Sequence, residues 1–111
     1  MRQGKVFYKD HFAGVITETN DGEYVFQYDK IYLNDHPEEF ISFTIPVTGK
    51  PFIEKRLFPF FDGLIPEGWL LEIALENWKI NPNDRMGLLL ACCQNCIGAV
   101  RVLPIPEKDG K

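Results

Sequence analysis

Phe12-Ala13-Gly14-Val15-Ile16-Thr17 and Glu23-Tyr24-Val25-Phe26-Gln27-Tyr28, separated by a segment that ends in Asn20-Asp21-Gly22, are the stretch that decides the fold. Both runs are rich in β-branched and aromatic residues, which fit a pleated, half-buried surface. Asn, Asp and Gly accept positive φ and so favour a tight reversal between them. The segment predicts an antiparallel hairpin.

Working outward, Lys5-Val6-Phe7-Tyr8 reads as a strand before the hairpin, and Ser42-Phe43-Thr44-Ile45 as one after it, stopped by Pro46. Lys55-Arg56-Leu57 adds a short edge piece, and Gly98–Leu103 a closing strand ended by Pro104 and Pro106. Between them the pattern turns helical. Pro66 suits a first helical turn because its fixed φ is already right and its missing N–H has no partner to lose there. Glu67 complements the helix dipole, and the helix is expected to run to about Trp78. Asn81-Pro82-Asn83-Asp84 is a second start signal, with Asn81 as N-cap and Pro82 at the first position, for a helix carrying Met86 to Cys93. Strands, two helices and a last strand predict an α+β fold. The expected object is a bent antiparallel sheet, or a partly open small β-barrel, with two helices packed on one side. The chain reads as a single domain over 1–111, its ordered core about 4–106.

Composition narrows the function. The 111 residues are 45% hydrophobic and 14% aromatic, which excludes a disordered chain. Twelve basic against sixteen acidic residues give a net charge of −4. Phosphate neutralisation needs a basic stripe, and the cations here are scattered, so direct nucleic-acid binding is not expected. The longest apolar stretches are too short to cross a bilayer, and Met1–Lys5 leads into a strand without the features of a signal peptide. The three cysteines Cys92, Cys93 and Cys96 are crowded into one segment, an odd local set rather than a disulfide framework. A reducing, cytoplasmic setting is expected.

The residues offer little catalytic chemistry. Gly63 and Gly68 are isolated, so no phosphate-cradling loop is present, and no catalytic-loop pattern supplies a base. Cys93-Gln94-Asn95-Cys96 has the spacing of half a zinc site, but no second pair accompanies it. His11 and His36 lie far off in the β half and read as surface or turn residues. A redox C-x-x-C should open a helix, and this one ends one. Glu67, Glu72 and Glu76 have the spacing of a solvated helix face. No catalytic residue, metal or cofactor is assigned, and the chain is not expected to be an enzyme.

One residue departs from the core pattern. At about 100° per residue, Leu70, Leu71, Ala74, Leu75 and Trp78 share one side of the helix expected from Pro66. Trp69, Glu72, Ile73 and Glu76 fall on the other, where two carboxylates mark water. A packed aromatic buries on the order of 150–250 Å², and Trp is enriched at binding hot spots. Two readings stay open: Trp69 anchors a partner, or it folds back over Phe60–Leu64 to cap the core.

Leu57-Phe58-Pro59-Phe60-Phe61-Asp62-Gly63-Leu64-Ile65-Pro66-Glu67-Gly68 resembles the LxPFFdxLLPEG signature of HipA N-terminal domains. Tyr28-Asp29-Lys30-Ile31-Tyr32-Leu33 resembles that family's YDxxYL element, and Asn95-Cys96-Ile97-Gly98-Ala99-Val100 its DCxGAL element, in the family's order. Gly63, Ile65 and Asn95 are mild departures. The resemblance implies a domain that precedes a serine/threonine kinase toxin, or the separate small subunit (HipS-like) of tripartite systems, in which that subunit is the antitoxin of a HipT kinase and a HipB-like DNA-binding protein belongs to the same complex. It implies that Trp69 projects toward the kinase active site. The expected partner-binding set is therefore Trp69 with Ile73, Gly68, Glu67, Leu64, Asp62 and Phe61. The rival expectations are an N-terminal domain excised from a full HipA kinase and a structural subunit of a repressor complex.

Overall fold

The computed structural model describes residues 1–65, 81, 83–93 and 99–106. Its sheet starts with β1 (Arg2–Tyr8) and β2 (His11–Glu18), which reverse on Lys9 and Asp10 at φ 50° and 69°. Consecutive left-handed residues match the twist of a two-residue hairpin. A lysine there is strained, and the turn is held from outside: Lys9 N–H donates to the Ala99 carbonyl at 2.8 Å, and Asp10 pairs with Arg101 at 3.1 Å.

The expected hairpin is present, with β2 antiparallel to β3 (Tyr24–Tyr28). Gly22 takes φ +86° in its turn. β2 bulges against β1, since Val6 pairs with Gly14 and Phe7 with Phe12, leaving Ala13 as the extra residue. The Ala13 carbonyl then accepts the Asp29 N–H at 2.8 Å. At Gly14 a Cβ would run into the Gln27 carbonyl oxygen, so the bulge closes around glycine.

β4 (Phe52–Glu54) pairs with β3, and β5 (Val100–Ile105) with β1. The order is β4-β3-β2-β1-β5, all antiparallel, so the sheet is open and not a closed barrel. β5 continues through Pro104, which an edge strand tolerates because a proline needs no ladder donor on the solvent side. Val102, Val6, Gly14 and Tyr28 form one cross-strand row of buried positions. Ile16, Phe26, Ile41, Ile45, Phe61, Met86, Leu88 and Leu89 join Val6, Val102 and Tyr28 in a single core cluster.

Three helices are found among the described residues. α1 (Lys30–Asp35) is capped by Asp29, whose carboxylate accepts the Ile31 N–H at 3.1 Å. α2 (Pro59–Asp62) carries Pro59 in its first turn. α3 (Arg85–Cys92) buries Met86, Leu88 and Leu89. Neither α1 nor α2 was expected, and the helix expected from Pro66 to Trp78 lies outside the described residues.

Three local expectations are corrected. α3 starts at Arg85, because Asp84 rather than Asn81 is the N-cap; Asn81 instead accepts the Asn83 N–H in an Asx turn, and Pro82 lies outside the described residues. The edge strand is Phe52–Glu54, not Lys55–Leu57. Ser42–Ile45 is a tight turn, not a strand: Ile45 N–H donates to the Ser42 carbonyl, and Ser42 Oγ meets both Thr44 N and Thr44 Oγ1. Those hydroxyl bonds compete with a ladder, and the turn wins.

Candidate functional site

Of the expected contact residues, Phe61, Asp62 and Leu64 are described; Glu67, Gly68, Trp69 and Ile73 lie outside the described residues. The described three form the base of the segment that leads to Pro66. Phe58 has the extended conformation that a following proline favours, φ −52° and ψ 135°. α2 then closes with Asp62 N–H on the Phe58 carbonyl and Gly63 N–H on that of Pro59. Leu64 and Ile65 donate back to Phe61 and Asp62, so the chain is fixed through Ile65, itself buried.

Each side chain has a separate part. Phe61 is fully buried and meets Phe26 at 5.6 Å, Phe58 at 5.9 Å and Phe60 at 5.2 Å between ring centroids. It is a core residue, so any part it takes in binding is support of the loop. Asp62 is half-exposed and accepts from Arg85 Nε at 2.6 Å, tying α2 to the start of α3. Leu64 packs on the core, and its carbonyl accepts the Cys93 thiol at 3.3 Å. Thus α3 grips the loop at both ends.

α3 is held in turn by the N-terminal strand. The Arg2 guanidinium bonds Asp84 through two nitrogens, at 2.8 and 2.9 Å, and Glu18 at 2.7 Å. Asp84 also caps α3 by accepting the Gly87 N–H at 3.1 Å. The bonds from Arg2 hold the Asp84 carboxyl below its usual range, and the two carboxylates push Arg2 still higher. Tyr24 donates to Glu18 at 3.2 Å, and burial raises its hydroxyl pKa, helped by the charge of Glu18. On α1, burial pushes Tyr32 up to about 12.

A groove runs beside this platform, along β4 and the start of α2. One lobe, of about 590 Å³, is lined by Ile53, Glu54, Lys55, Arg56, Leu57 and Pro59 among others. A second, of about 480 Å³, shares Lys55, Arg56, Leu57 and Pro59 and reaches Asp62 and Arg85. None of the described lining residues is a Ser, Cys or His.

Sequence reasoning missed one pairing. His11 opens β2 and His36 caps the end of α1, and their rings lie 4.5 Å apart over a pocket of about 190 Å³. His36 also meets Glu39 at 3.4 Å and the Tyr32 ring at 5.0 Å. They meet across β2 and the end of α1, a proximity that linear spacing does not show. Among the described residues no group of three or more His, Cys, Asp or Glu is placed to hold a metal. Nor is any helix of the described residues long and apolar enough to cross a membrane. Cys96 lies outside the described residues; Cys93 is buried at the end of α3.

A family profile described as "HipA N-terminal domain" matches residues 4–103. An uncharacterised protein of Haemophilus influenzae is 33% identical over 102 residues, covering 92% of this chain and 92% of that one. A protein of Sinorhizobium fredii named "Putative kinase Y4mE" is 26% identical over 99 residues, 89% of this chain but 24% of its own length. A solved structure described as "N-terminal domain of HipA toxin" superposes with a TM-score of 0.72 at 27% identity, over 97% of this chain and 96% of that one.

Proposed function

The chain belongs to the HipA N-terminal domain family, and we propose that it is a non-catalytic protein-binding module that neutralises a HipA- or HipT-like serine/threonine kinase in trans. The observation that carries this reading is the family match over residues 4–103 together with two kinds of relative: one of matching length, and one in which the same domain is about a quarter of a putative kinase. A domain that accompanies a kinase within one chain has a surface suited to that kinase, and the same surface serves between chains. The platform of α2 and α3 supports the reading, since a segment that leads into a partner site is better held than loose.

Trp69 is the proposed anchor. The helical phase of the sequence predicts it beside carboxylates, with Ile73 one turn on, and its burial in the partner is the proposed source of affinity. A HipB-like protein in the same complex supplies the DNA contact that a chain of net charge −4 does not make alone. The proposed setting is the cytoplasm.

The experiment is to add the purified chain to the HipA-type kinase of the same organism and follow autophosphorylation. Stoichiometric binding with loss of phosphotransfer supports the reading. Binding without inhibition favours a structural subunit of a repressor complex. A kinase reading frame continuous with this chain favours the second reading, a regulatory N-terminal domain, for which the kinase relative speaks.

A further inference from the structure

Phe43 is 89% exposed, the most exposed of the large hydrophobic side chains among the described residues. It stands at the tip of the Ser42–Ile45 turn, with Phe40 beside it at 5.0 Å between centroids and 37% exposed. Isolated exposed apolar residues are ordinary on a protein surface. This pair is different, because both flanks of the tip are fixed in the core. Ile41 and Ile45 are buried on either side. The buried Tyr28 hydroxyl accepts the Ile41 N–H and donates to the Ile45 carbonyl. Ser42 and Thr44 close the turn through their hydroxyls. The fold therefore spends a core tyrosine on holding an aromatic side chain out in water.

We propose that Phe43, backed by Phe40, is a second docking anchor, seated in an apolar pocket with a basic rim on the kinase-type partner. The proposal rests on the reading of this chain as a kinase-binding module. A preorganised aromatic loses little freedom on binding, which is what makes such residues effective anchors. The rim chemistry follows from the neighbours. Asp35 and Glu38 are exposed and Glu39, which has His36 at 3.4 Å, is half-exposed in the chain just before Phe40, and this acidic stretch suits a basic surround. The choice of a kinase-type occupant rests on the relative named as a putative kinase, of which the matching region is 24%.

The test uses the full chain and, as probe, the purified HipA-type kinase of the same organism. Phe43→Ser is compared with wild type for unfolding midpoint, Kd and sedimentation. The expected result is an unchanged midpoint with binding weakened about 30-fold or more, as for a buried aromatic hot spot. Glu38→Lys with Glu39→Lys is expected to slow association at low salt. Wild-type affinity in Phe43→Ser overturns the proposal and leaves the kinase-binding reading standing. A wild-type chain that does not bind the kinase sinks that reading and this one with it. If wild type self-associates and Phe43→Ser alone abolishes it, the occupant is a second copy and the proposal is wrong. Should Phe43→Ser fail to fold, the charge-reversed pair decides: slower association at low salt supports the patch, an unchanged rate overturns it.

Discussion

Replacing Asp84 by alanine removes two things at once, the cap of α3 and the paired acceptor of Arg2. The cap bond to the Gly87 N–H is worth about 1 kcal/mol. The bidentate contact with Arg2 has favourable geometry, but the side chains are 35% and 34% exposed, so solvent screening holds it to about 0.5–1 kcal/mol. Together the loss is about 1.5–2 kcal/mol, read as a lower urea midpoint with an unchanged slope. Asp84→Asn separates the parts, because asparagine caps nearly as well as aspartate but carries no charge. It should lose only the electrostatic share. That share has a defined pH window. The carboxyl is held low in the fold, so the unfolded chain takes up its proton first as pH falls. The contribution is therefore complete well above about pH 4, the ordinary aspartate value, and disappears as pH falls through the lowered folded value. The gap between wild type and Asp84→Asn should be flat from neutral pH down to mild acid and close below it. If Asp84→Asn is as unstable as Asp84→Ala, or the gap is the same in acid, the division into cap and charge is wrong.

The other expectations are briefer. Gly14→Ala should cost about 2 kcal/mol or more by forcing the bulge away from the Gln27 carbonyl, measured by thermal melting. Phe61→Ala should cost about 3–5 kcal/mol, as for a buried aromatic, whereas Asp62→Ala should cost under about 1 kcal/mol because its ion pair with Arg85 is exposed; equal losses would place Phe61 outside the core. Trp69→Ala should cost under about 1 kcal/mol in folding but about 2 kcal/mol or more in kinase binding, while Trp78→Ala should lose about 3–5 kcal/mol of stability. A Trp69→Ala chain that unfolds as readily as Trp78→Ala, or that silences the kinase normally, would end the anchor idea.

The parts of the fold legible in the sequence are those decided by neighbours in the chain. The β2–β3 hairpin is one, because its turn residues and both strands lie within a single short segment. The partners of β1 on its other side are not legible that way: Gln3 pairs with Ile105, a contact set by the closing of the whole core. Short helices escape for a different reason. α1 has six residues and α2 four, too few to show a helical period. Ser42–Ile45 misled because β-propensity measures fit to a sheet that must have a free neighbour. Here β3 already pairs with Phe52–Glu54, and the two hydroxyls offered the backbone another arrangement.

The candidate site shows the same division. The motif around Phe58–Leu64 singled out this segment as a candidate, but residue type alone could not separate the members that pack inward from those that face outward. Phe61 turned inward onto Phe26, Asp62 outward onto Arg85, and the Leu64 backbone onto Cys93. These contacts join α2 to α3, and α3 to β1 through Arg2. A partner that grips the loop therefore pulls on a platform connected to the sheet rather than on a loose strand. Phe43 obeys the same rule at another place, with Tyr28 fixing its base. Tyr28 fixes the backbone that carries the exposed Phe43, and the buried Phe61 fixes the backbone beside the half-exposed Asp62. Among the described residues that arrangement fixes surfaces, which is what the proposed recognition role needs.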